Sequence, residues 1–69
     1  MDVVECHSGY EYAVRPTALY WQGERLLVEE VLAGWRLPDG KRFRVRTTDQ
    51  SLFELSYIEL TGEWQIQPL

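Results

Sequence analysis

The stretch LPDGKRFRVRTTDQSLF, Leu37 to Phe53, decides the fold. At its centre apolar Phe43 and Val45 alternate with Arg42, Arg44 and Arg46, the period of two that marks a half-buried strand. A two-residue turn at Asp49 and Gln50 would set Val45 against Glu54 and Arg46 against Phe53. Directly opposed residues of an antiparallel pair share a face, so that register mixes core and solvent. A three-residue loop of Thr48, Asp49 and Gln50 instead sets Val45 against Phe53, Phe43 against Leu55 and Arg44 against Glu54. It requires positive φ at Gln50, a mildly strained position for a residue with a Cβ.

The same parity rule extends in both directions along the chain. Pairing Trp21 with Leu26 and Leu19 with Val28 leaves Gly23 and Glu24 as a type II′ turn, with Tyr20, Gln22, Arg25 and Leu27 pointing outward. Pairing Trp35 with Phe43 and Ala33 with Val45 leaves Pro38, Asp39 and Gly40 as a loop, with Gly40 in the left-handed position. At the C-terminal end a four-residue loop, Glu59 to Gly62, sets Tyr57 against Trp64 and Leu55 against Ile66. Val28 and Val31 both face inward although three residues apart, which places a bulge near Glu29 and Glu30 and a bend in the strand. Glu24 to Ala33 is the best helical candidate, but it contains Val28 and Val31, lacks an N-cap and runs into Gly34, so it reads as strand. The expected fold is all-β: a small SH3-like barrel, a five-stranded antiparallel meander with a bent second strand and Val3 to Cys6 as a candidate sixth. Residues 1–14 read as an N-terminal strand or irregular arm, with Glu5, Tyr10, Glu11 and Tyr12 in it, and 15–69 as the barrel.

A chain of 69 residues allows one domain, which buries roughly 60% of the surface exposed when unfolded. With 45% hydrophobic residues and three tryptophans, a single core forms without disulfides or a metal. The lone Cys6 cannot form an internal disulfide, and neither a secretory signal nor a membrane-length apolar run is present, so the cytoplasm is the expected location. A net charge of -4 argues against a whole-surface affinity for nucleic acid and confines any such contact to a local patch.

Arg15-Pro16, the spaced Leu19, Trp21 and Gly23, then VEEVL, Trp35-Arg36, FRVRT, FEL and a terminal TGEW follow one another in order. This series resembles a family of uncharacterised short bacterial β-domains, found alone or near genes for translesion-type DNA polymerases. The likeness covers most of the chain from Arg15 onward. It implies a DNA-maintenance context without attaching a biochemical role. Where the family commonly shows Asp-Gly after FRVRT, this chain has Asp49-Gln50.

The arginine strand supplies the candidate site. Arg44 lies opposite Glu54 and beside Gly34, an exposed cross-strand pair worth under about 1 kcal/mol. Arg46 faces Leu32 and Leu52 and covers them with its stem. Arg42 falls opposite Arg36, and opposed like charges destabilise a sheet unless an acid or a bound anion lies between them. Arg36, Lys41, Arg42 and Arg44 thus form a candidate anion or partner-binding patch, able to take a phosphate or carboxylate. Alternatively, Glu29, Glu30 or Glu54 neutralise the cluster within the molecule. Outward-facing Tyr20 and Leu27 form a candidate apolar contact. Trp21, Trp35 and Trp64 read as core by parity, the alternative being an aromatic groove for a peptide or bases.

No catalytic constellation is evident. Adjacent Cys6 and His7 point to opposite faces of a strand, with no third group to orient them and no second ligand pair for a metal. No cofactor is expected. The leading expectation is therefore a non-enzymatic protein-interaction module using Tyr20, Leu27 and the Arg36/Arg42 patch. The alternative is a nucleic-acid accessory domain that places its arginines on backbone phosphates, with salt-sensitive binding. Strand edges and outward apolar side chains also suit a homodimer.

Overall fold

Alternating apolar residues recur along the chain, and each such run forms a strand in the computed structural model, which describes residues 3–8 and 14–69. The strands are β1 (Val4–Ser8), β2 (Val14–Trp21), β3 (Glu24–Leu37), β4 (Gly40–Thr47), β5 (Leu52–Ile58) and β6 (Glu63–Pro68). They form one six-stranded antiparallel meander in the order β1-β2-β3-β4-β5-β6. The sheet curls on itself as an SH3-like half-barrel, and the N-terminal segment is its sixth strand. Tyr10, Glu11 and Tyr12, read as part of an irregular arm, lie outside the described residues.

Curling brings the inward side chains of every strand into one cluster. Val4, Leu19, Val45, Phe53 and Leu55 are its buried centre, with Trp21, Leu26, Val28, Val31, Phe43, Trp64 and Ile66 packed around it. Each fully buried aliphatic or aromatic side chain contributes about 1.5–3 kcal/mol. Trp21 meets Phe53 edge-on at 5.7 Å between ring centroids, and Trp64 stands 5.0 Å from Tyr57.

Two hairpins have the expected register. Across β4 and β5, Val45 faces Phe53, Phe43 faces Leu55 and Arg44 faces Glu54. Gln50 adopts φ 71° in the three-residue loop, which is closed by Gln50 N–H donating to Thr47 O at 2.9 Å. Across β5 and β6, Tyr57 faces Trp64 and Leu55 faces Ile66.

The other two hairpins differ. In the first, the turn is Gln22-Gly23, with Trp21 opposite Glu24 and Leu19 opposite Leu26. Both turn residues have positive φ, 51° and 79°, as a type I′ turn requires. Inward and outward parity is unchanged, because the register moves by two. The β3–β4 hairpin departs further. Its turn is Pro38-Asp39, closed by Leu37 opposite Gly40, and Gly40 does not adopt positive φ, as Gly23 and Gly62 do among the described residues. Gly40 answers to space: a Cβ there would lie 1.7 Å from the Tyr57 carbonyl oxygen.

A bulge between Val28 and Glu30 keeps both valines inward, as the parity conflict demands, and a second irregularity between Val31 and Ala33 shifts the rest of β3. Gly34 therefore faces Phe43, and Trp35 faces Arg42. Ala33 and Trp35, expected in the core, are on the outside; Trp35 is 39% exposed.

Candidate partner-binding face

The outer face of β3–β6 follows from these registers as a grid of side chains. One row runs Trp35, Arg42, Ser56, Gln65, and the next runs Ala33, Arg44, Glu54, Gln67. Strands lie roughly 4.8 Å apart, so each row spans about 14 Å. Glu54 is the pivot. Its carboxylate accepts a hydrogen bond from Arg44 Nη2 at 3.0 Å and lies 3.6 Å from Arg42 Nε. Arg42 Nε donates to Ser56 Oγ at 3.1 Å. The Arg44 guanidinium also stands 6.0 Å from the centroid of the Trp35 ring, within cation–π range.

The arrangement presents an indole flanked by two guanidiniums that share one carboxylate. Two cations against one anion leave a local excess of positive charge on a chain of net charge -4. The guanidiniums are held in place, and their remaining N–H donors can meet a carboxylate or phosphate.

Internal neutralisation accounts for much of the arginine ladder. Arg46 donates to Glu29 Oε1 at 3.1 Å and Glu30 Oε1 at 2.6 Å, and it pairs across the sheet with Glu30 and Leu52 rather than with Leu32. Arg36 lies opposite Lys41, not Arg42, so the expected Arg36/Arg42 opposition does not form. Both side chains of the Arg36–Lys41 pair fall on the opposite parity from Arg42. Arg36 lies 3.7 Å from Glu59, while Lys41 has no ion pair among the described residues.

Tyr20 and Leu27 point outward as their parity requires, at 36% and 47% exposure, but they belong to the β2–β3 half. Leu27 and Trp35 are separated by eight positions on β3, on the order of 25 Å of extended strand. The phenol of Tyr20 is also engaged, donating to Glu5 Oε2 at 2.6 Å. Arg25 grips the same carboxylate at 2.9 and 2.8 Å. These bonds hold the Glu5 carboxyl down at about 2, Arg25 contributing most and Tyr20 next, and they push the Tyr20 phenol up.

Cys6 and His7 are both exposed on β1. Among the described residues, no three His, Cys, Asp or Glu side chains gather as a metal site would need, and no helix is long and apolar enough to cross a membrane.

Trp35 is the residue that parity reasoning missed. Gly34 was the available signal, since glycine within a strand marks a bulge or a close approach. Here a Cβ at Gly34 would meet the Phe43 ring at 3.1 Å. Compared with known proteins, the chain matches no family model, no curated protein and no solved structure.

Proposed function

We propose that this chain is a non-enzymatic binding module that engages a protein partner through the outer face of β3–β5. Trp35 is the anchor, with Arg42 and Arg44 the specificity contacts. One observation carries the reading: an indole 39% exposed, on a strand face, beside the Arg44 guanidinium at 6.0 Å. Tryptophan and arginine dominate the energetics of protein interfaces, and a carboxylate on the partner would meet the unused donors of Arg42. The face holds donors, a ring and a carboxylate already shared by two arginines, a chemistry for recognition and not for bond breaking. A partner from a DNA-maintenance setting is part of the same proposal, supported only by the resemblance to short bacterial β-domains, and the lone cysteine suits the cytoplasm.

The test is partner capture by the parent chain and by Trp35→Ala and Arg42→Glu variants, with folding checked by circular dichroism. A partner captured by the parent should be lost from both variants. Capture that survives both substitutions removes this face. Retention on single-stranded DNA that weakens steeply with salt, and disappears in an Arg42→Glu, Arg44→Glu double variant, would transfer the face to the nucleic-acid reading.

A further inference from the structure

A second surface lies at the mouth of the half-barrel, where the β2–β3 turn, the β4–β5 loop and the end of β6 meet. They enclose a groove of about 540 Å³. Its apolar lining comes from Trp21, Leu26, Leu52, Phe53, Pro68 and Leu69. Glu24 and Asp49 also line it, with no Lys, Arg or His among the lining residues. Glu24 has no ion pair among the described residues. Asp49 is held ionised through one oxygen, which accepts from the Thr47 hydroxyl and from Ser51 N–H, and these bonds lower its pKa.

The two turns that border the groove also bring polar side chains to it. Among the described residues only Gln22 and Gln50 have positive φ without being glycine, at 51° and 71°, and both line this groove. Glycine, or failing that asparagine, is the low-strain choice at such positions. Here the type I′ turn and the three-residue loop impose these angles, and the same turns carry both glutamine side chains to the groove. The Gln50 carboxamide donates to Glu29 Oε1 across a long 3.3 Å, which leaves its carbonyl oxygen as an acceptor, while Gln22 offers both a donor and an acceptor to a ligand.

We propose that this groove docks a basic peptide segment of a partner protein. An apolar side chain of the peptide packs on Trp21, Leu26 and Phe53. A neighbouring lysine or arginine meets Glu24 and Asp49, and the carboxamides of Gln22 and Gln50 bond the peptide backbone. Charge complementarity selects a basic occupant, since an acidic one would meet two carboxylates and no cation. The site is separate from the Trp35 face and does not depend on it.

The experiment titrates the full chain with an acetylated, amidated hexapeptide of alternating lysine and leucine, and follows the indole N–H resonances. The Trp21 resonance should shift while that of Trp35 stays still, and a glutamate–leucine counterpart should have no effect. Glu24→Lys should weaken binding roughly tenfold. A Gln22→Gly, Gln50→Gly variant should melt at higher temperature and bind less well, and Trp35→Ala should bind as the parent does. The proposal is overturned if Trp21 fails to shift at millimolar peptide, if both peptides shift it equally, or if the double-glycine variant binds like the parent. A Trp21 shift driven by protein concentration alone would overturn it in favour of a second copy as occupant.

Discussion

A side chain's identity and the space available to it decide different things at neighbouring positions. Gly40 and Gly34 lie on facing strands, and neither is a positive-φ residue. A Cβ at Gly40 would stand 1.7 Å from a backbone oxygen of Tyr57, whereas one at Gly34 would meet the edge of the Phe43 ring at 3.1 Å. Backbone cannot give way without moving the strand; a ring can tilt. Gly40→Ala should therefore destabilise the fold by about 3 kcal/mol or more, and Gly34→Ala by about 1 kcal/mol or less. Urea denaturation of the two variants measures both. Equal losses would show that the β4–β5 approach is not what excludes a side chain at Gly40. The positive φ of Gln50 was legible in the sequence because only one loop length kept Val45 opposite Phe53. The close approach at Gly40 was not legible, since turn chemistry offered that glycine an equally good local reason.

At the scale of the element, β3 does the most to shape the molecule. Its fourteen residues pair with β2 along one end and β4 along the other, and two irregularities turn it between them. The first was legible as a conflict of parity between Val28 and Val31. The second was not, because Ala33 and Gly34 are small enough to suit either face. That slip moved Trp35 from the expected core to the surface and replaced the expected Arg36/Arg42 pair with Arg36/Lys41.

β1 pairs with β2 and buries Val4 in the core, and it is tied further by the Glu5 carboxylate, gripped by Arg25 and Tyr20. Its pKa falls from 4.5 to about 2, so the folded carboxyl binds a proton more weakly than the unfolded one. The contribution is complete above about pH 4.5 and is lost as the pH falls through about 2. Between those limits, the amides of β1 should lose hydrogen-exchange protection relative to those of β4. Glu5→Gln should abolish this acid dependence. Unchanged protection of β1 in the parent over that range would show that the bond does not hold the strand.

For the whole molecule, one cluster fed by all six strands is the source of stability. Leu55 is fully buried in it, at the middle of β5. Leu55→Ala should cost about 2–5 kcal/mol, comparable with the total stability of a domain this small, roughly 5 kcal/mol. The variant should melt far below the parent by circular dichroism, with up to about half the molecules unfolded in water at the upper end of that range; a cooperative melt close to the parent's would mean that the cluster repacks around the gap. The sequence by itself determined that the chain is a curled antiparallel meander and which way most side chains face. Alternation within each strand and matching across each turn are local rules, and Val45, Phe53, Leu55 and Trp64 obey them. Only the tertiary structure decided where Trp35 and Gly40 stand, which arginines oppose which cations, and that Gln22 and Gln50 meet at one groove. Those outcomes depend on bulge positions and on the approach of segments distant in the chain, and neither leaves a periodic trace for a linear reading to find.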